Sequence, residues 1–183
     1  MRTFSKPIRF LVAASLMASA CTTVTVTPQS VAPPKQQYRA VVVGLLEPKS
    51  QDLGYLNSYF REGLLRRLHE LNAFETIAEA PSAASAPDTL SVFGTVTEAE
   101  KGDEVLRILV GMGAGRVHVT ADLELKDSDG NVLGHLQIRK AYSGGAGFGG
   151  GGFIDILDLT KQVGEQAAQT LLDWSRRKDI SSN

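Results

Sequence analysis

The sequence holds a single cysteine, Cys21, in 183 residues. One cysteine excludes an intramolecular disulfide framework and leaves burial of apolar surface to hold the fold together. Charge of one sign is also lacking. The chain carries 19 basic against 20 acidic residues, with no basic cluster, so nucleic acid is not an expected partner. Histidine is scarce: His69, His118 and His135 are the three, and no nucleophile, base and acid fall into a recognisable catalytic pattern. No enzyme activity, cofactor or metal site is therefore expected.

What is present begins at the N-terminus. Arg2, Lys6 and Arg9 precede a short apolar run, from Phe10 to Ala20, that ends in small residues. It is too short for a comfortable membrane span and fits a cleaved signal over residues 1–20. Removing those three cations from the 19 leaves 16 basic residues against 20 acidic, a formal charge of −4 for the mature chain. Leu16-Met17-Ala18-Ser19-Ala20-Cys21 resembles a bacterial lipobox. The resemblance implies cleavage between Ala20 and Cys21, a diacylglycerol on the sulfur, and a further acyl chain such as palmitate on the new amine. Ala18-Ser19-Ala20 also fits the rule for simple secretory cleavage. Thr22 stands where an inner-membrane retention signal would have Asp, which by resemblance to sorted lipoproteins favours the periplasmic face of the outer membrane. Residues 21–37, rich in proline towards Pro33 and Pro34, read as a lipidated cysteine and an extended tether reaching at most about 50 Å. A short strand at 23–27 is the competing reading.

Residues 38–178 then form one periplasmic domain of α/β (α+β) class. It is a single mixed sheet of about five strands, with a β-α-β start, a long hairpin and a C-terminal helix. The hairpin is the strongest signal. Val117, Val119, Ala121, Leu123 and Leu125 alternate with His118, Thr120, Asp122, Glu124 and Lys126, a period of two. Leu136 and Ile138 alternate with His135, Gln137 and Arg139 on the return. Asp129-Gly130 between them predicts a two-residue type I′ turn, which places Leu123 opposite Leu136 and Ala121 opposite Ile138. Lys140, opposite Val119, breaks the pattern.

The run from Tyr38 to Leu46 is rich in valine and predicts a strand buried on both faces, at the centre of the sheet. Leu53, Leu56, Phe60, Leu64, Leu68 and Leu71 form one stripe of a helix over 52–71, with Asp52 as its cap and Asn72 as its end. Residues 74–80 and 90–98 predict two more strands. Leu159, Val163, Ala167, Leu171 and Trp174 stripe a final helix that starts at Asp155 or Asp158 and runs to Arg177.

The series Arg107, Gly111-Met112-Gly113-Ala114-Gly115, an alternating strand, then Asp127 and Asp129-Gly130 resembles a bacterial lipoprotein family defined only as a domain of unknown function (4410). That resemblance covers residues 38–174 and implies a class without a chemistry. The element order is also similar to the periplasmic domain shared by curli-secretion and peptidoglycan-synthase-activator lipoproteins. The matching pieces are the first strand and leucine-striped helix, Phe93-Gly94-Thr95-Val96-Thr97, the Asp129-Gly130-Asn131-Val132 turn and the closing helix. The long amphipathic hairpins that would span an outer membrane are missing, so a pore of its own is not expected.

Two glycine-rich connections flank the outer ends of the hairpin. Gly111, Met112, Gly113 and Gly115 lie before it, and Phe148 and Phe153 in or beside 144–152 lie after it. These are the candidate partner-binding loops. The second fits G-x-G-x-x-G, but no parallel strand follows to complete a dinucleotide unit. Asp127, Asp129 and Asn131 mimic the start of a calcium loop, yet the chain continues as a strand without the closing glutamate. Glu124 and His135 read as a cross-strand pair. The expected function is an outer-membrane-anchored, non-enzymatic lipoprotein, held to the membrane by acyl chains on Cys21. It would bind another cell-envelope protein or associate with itself. The alternative is a small-ligand or nucleotide binder, or an enzyme, using the glycine loops.

Overall fold

A computed structural model describes residues 21–34, 36–47, 51–80, 86–101, 117–143 and 155–176. Six strands form one sheet: β1 (Cys21–Pro28), β2 (Ala40–Leu45), β3 (Thr76–Glu79), β4 (Thr89–Glu100), β5 (Val117–Lys126) and β6 (Val132–Ser143). Their spatial order is β1-β6-β5-β4-β2-β3. β2 runs parallel to β3 and β4, and the remaining pairs are antiparallel, so the sheet is mixed. Two helices, α1 (Leu56–Glu70) and α2 (Ile156–Ser175), pack on the sheet and against each other. The α+β class stands as read from the sequence.

β2 is buried from Val41 to Gly44, on both faces, as its valines predict. Its position differs from the expected centre. It lies second from one edge, because the long hairpin and β1 all add beyond β4 and move the middle of the sheet to β4 and β5. The core gathers Val41, Val43, Leu90, Val92, Val96, Val119, Ala121, Leu123, Leu125, Leu136 and Ile138 with the buried stripes of the helices.

In α1 the buried positions are Leu56, Phe60, Leu64 and Leu68, with Asn57 and Gly63 beside them. The helix starts later than the stripe predicts. Gln51–Leu53 form a 3-10 turn, Gly54 interrupts the run, and Tyr55 occupies the cap position with no side-chain bond, so Asp52 is not the cap. Glycine's backbone entropy is the physical reason for the break. At the other end Asn72 adopts φ 46°, a left-handed conformation that asparagine tolerates, and the helix stops there as predicted. α2 begins at Asp155, whose carboxylate accepts the Leu157 N–H at 3.1 Å. Its stripe of Leu159, Val163, Ala167, Leu171 and Trp174 is buried.

The helices cross at glycines. A Cβ on Gly164 would fall inside the Phe60 carbonyl oxygen and 2.7 Å from the Leu64 nitrogen, and one on Gly63 would strike the backbone of Lys161. Only hydrogen at both positions allows backbones this close. Arg66 with Glu165, and Lys161 with Glu62 at 2.8 Å, add ion pairs across the helices. Such solvent-screened pairs contribute little.

The hairpin keeps the predicted register through its body, with Leu123 opposite Leu136, Ala121 opposite Ile138 and Val117 opposite Tyr142. The turn is of another type. Gly130 alone takes positive φ, at +83°, and its N–H bonds the Asp127 carbonyl at 3.1 Å, while Asp127 N–H bonds Asn131. That is a three-residue loop closed by a left-handed glycine. It shifts pairing by one, to Lys126 opposite Val132, and a bulge before Leu125–Gly134 restores the register. Asp127 organises the loop by accepting from the backbone N–H of Asp129 and Asn131, at 3.0 and 2.8 Å.

The expected tether is also corrected. Cys21–Pro28 is a strand, paired with β6 through eight positions from Cys21–Ser143 to Pro28–Leu136. This sixth strand is the one missing from the expected five. Gln29 and Ala32 continue bonding to the β6 side, Pro34 is buried, and Tyr38 stacks on Trp174 at 5.8 Å between ring centroids. The threonine-valine alternation of residues 22–27 is what a sheet edge accepts, and it outweighs the prolines that follow. Pro28 closes the strand, where its missing N–H costs no ladder bond on the open edge.

Candidate functional site

Four strand ends meet in a row. Cys21 opens β1 opposite Ser143, which closes β6. Next to them Thr22 faces Tyr142, and Tyr142 faces Val117 at the start of β5. His118 then faces Glu100 at the end of β4. The residue that carries the lipobox resemblance therefore sits at the same sheet end from which both glycine-rich connections leave. Gly111, Met112, Gly113, Gly115, Phe148 and Phe153 themselves lie outside the described residues.

The same end holds a cluster that alternation alone did not reveal. His118, expected on a solvated face, is buried, with 7% of its surface exposed. Its Nδ1 lies 3.5 Å from Glu100 Oε2 and its Nε2 3.7 Å from Glu98 Oε2, and Thr120 Oγ1 donates to the same Glu98 oxygen at 3.0 Å. A register shift between Val96 and Glu98 makes this possible. Strict alternation from Leu90, Val92 and Val96 would turn Glu98 and Glu100 into the core. The bulge turns them to the opposite face, beside His118, and admits Ala99 in their place. Two glutamates in phase with a buried stripe are the signal in the sequence that a bulge must intervene. Below that bulge β4 has outrun β2, and Asn57 of α1 takes over as partner: its Oδ1 accepts from Val96 N–H at 2.8 Å and its Nδ2 donates to Thr95 Oγ1 at 3.2 Å.

The other polar candidates are kept apart. His135 stands opposite Glu124 near the turn, far along the ribbon from His118, and the Glu124 carboxylate pairs with Lys126 Nζ at 2.5 Å. Lys126 also lies 5.2 Å over the Phe93 ring. His69 is exposed in the last turn of α1. Among the described residues no three His, Cys, Asp or Glu side chains gather as a metal site. Lys140 stands out on the core side of the ribbon, between Val24 and Val119. Burial pushes its amine below the usual lysine range, opposed in part by the charge of Glu165. Burial, with the charge of Asp127 adding to it, raises Tyr38. No described helix is long and apolar enough to cross a membrane.

Residues 24–146 match the model of a protein family described as a domain of unknown function, DUF4410. No curated protein matches the chain. Among solved structures it is similar to the PelC dodecamer from Paraburkholderia phytofirmans, at 16% identity over 80% of this chain and 94% of that one, with a TM-score of 0.44. Protein XCC0632 from Xanthomonas campestris, of family DUF330, is similar at 11% identity over 81% and 92%, with a TM-score of 0.48. Lipoprotein GNA1162 from Neisseria meningitidis shows 16% identity over 71% and 98%, with a TM-score of 0.36.

Proposed function

The chain belongs to the DUF4410 family, and on that premise we propose that it is a non-enzymatic lipoprotein of the cell envelope. In this reading Cys21 is its acylated first residue, on the periplasmic face of the outer membrane, and its α+β domain binds another envelope protein or further copies of itself. The binding surface is the pair of glycine-rich connections, with Met112, Phe148 and Phe153 as apolar contacts. Apolar side chains set among glycines suit adaptable contacts.

The observation that supports the reading is the pairing of Val117 with Tyr142 beside Cys21 and Ser143. It brings the departures of both connections together beside Cys21. A mature charge of −4 argues for acyl chains, and against a polybasic patch, as the means of attachment.

Two measurements test it. Intact mass of the membrane-extracted protein should show Cys21 as the acylated first residue, and Cys21→Ala should leave an unprocessed or soluble product. Crosslinking in intact cells followed by pull-down should lose its partner in the Met112→Ser, Phe148→Ser double variant with the thermal midpoint nearly unchanged. A drop of several degrees with capture unaffected would show that these side chains plug the core edge instead. Saturable binding of nucleotides or sugars to the mature domain would favour the small-ligand reading.

A further inference from the structure

We propose that the sheet end carrying Cys21, Thr22, Tyr142 and Val117 rests on the bilayer surface, with the lipid anchor continuing directly into the fold and no tether between them. The inference depends on acylation of Cys21, and it adds to that reading the surface that faces the membrane.

A lipidated cysteine reaches the leaflet through chains on its own sulfur and amine, so residue 21 sits at headgroup level. In this protein residue 21 already pairs with Ser143, and the next seven residues stay paired with β6. β6 in turn pairs with β5 along the whole hairpin. Freeing even a short tether would mean stripping β1 from the sheet, along with Val24 and Val26 from their places beside Lys140 and Ile138. Within the ladder, neighbouring strands stand about 4.8 Å apart, so Tyr142 and Val117 lie within roughly 10 Å of the anchor across the sheet.

At the β1–β6 corner of this end the chemistry suits a headgroup layer, while the exposed Glu98 and Glu100 stand on β4, two strands beyond β6. Tyr142 is half-buried, one residue before the partner of Cys21. A tyrosine there offers an apolar ring and a polar tip, the combination favoured at membrane–water interfaces. Thr22, Thr23 and Thr25 on β1 are exposed and uncharged, so no ionic group on that strand opposes approach to lipid. The opposite end carries Asp127, Asp129 and the Gly130 turn, about 36 Å away along β6 at 3.3 Å per residue. The charged turn would point away from the membrane.

The test uses the acylated protein in lipid nanodiscs, with intact mass checked on the same sample and a nitroxide-bearing lipid as the probe. Amide signals of Thr22, Ala141, Tyr142 and Val117 should lose most of their intensity, while those of Asp129, Gly130 and Asn131 keep theirs. A flexible Gly-Ser linker inserted between Cys21 and Thr22 should abolish the difference while leaving acylation intact. An acylated protein whose two sheet ends broaden alike, or not at all, would overturn the docked end and leave the lipoprotein reading standing. A sample with unmodified Cys21 would overturn both.

Discussion

Trp174 in the last turn of α2 donates its indole N–H to the Ala32 carbonyl at 3.0 Å, across 142 residues of chain. The bond ties the final helix to the segment between β1 and β2. The same indole stacks on Tyr38 at an interplanar angle of 18°. The C-terminal part of a stretch whose composition suggests a free tether is thereby held at two points.

Trp174→Phe should keep the aromatic stack and lose this bond. Ala32 is exposed, so water takes over its carbonyl and the loss is that of one hydrogen bond, about 0.5–1.5 kcal/mol. Urea unfolding should show that loss, and hydrogen exchange should show earlier opening at residues 31–32 than in β5. Unchanged exchange there would mean that β1 pairing alone holds the segment.

Gly164→Ala should be among the costliest single methyl additions in the domain. The added carbon meets backbone atoms of Phe60 and Leu64, which have no rotamer to move. The helices must separate, and overpacking of this kind costs about 1–3 kcal/mol or more. Denaturant midpoints for Gly164→Ala and for Gly63→Ala measure it. A neutral result at both would show that α1 and α2 slide past each other freely.

Val42→Asp should unfold the domain. Val42 is 5% exposed and lies on the sheet face opposite Val41 and Val43. A carboxylate there is buried, while Lys126, on the same face two strands away, is held over Phe93, and even several kcal/mol of desolvation is a large part of the roughly 5–15 kcal/mol a domain has. Circular dichroism melting decides it. A cooperative melt near the wild-type midpoint would mean that this face opens to water readily.

Lys140→Met should raise the thermal midpoint slightly at neutral pH and flatten the alkaline dependence. Burial holds the Lys140 pKa below its ordinary 10.5, so the folded chain disfavours the charged amine. Between the folded pKa and 10.5 the unfolded chain binds more protons, and stability therefore rises with pH across that window. Below it the desolvation cost is carried in full. Tyr38 acts in the other direction, since its raised pKa makes the folded chain lose stability as pH climbs above 10.0. Midpoints from pH 7 to 10 compare wild type with the variant. A lower midpoint for Lys140→Met at pH 7 would show that attraction to Glu165 outweighs burial.

Local periodicity determined much of this protein without its structure. The alternation of Val117 to Leu125 and the leucine stripe from Leu56 to Leu68 declare their elements because each repeats at the spacing of one strand face or one helix face. The hairpin register followed from the same alternation, and it survived an error in the turn because the one-residue offset at Gly130 is undone by the bulge one pair later. The lipobox resemblance around Cys21, too, is a matter of neighbouring residues. What the tertiary structure alone decided depends on partners far along the chain. Residues 21–28 are compatible with tether or strand, and only the open edge of β6 makes them a strand. His118 reads as solvated until the bulge at Val96–Glu98 turns two glutamates onto its face. Gly63 and Gly164 carry no signal in their own segments, because the need for hydrogen at both positions arises only where the two helices cross.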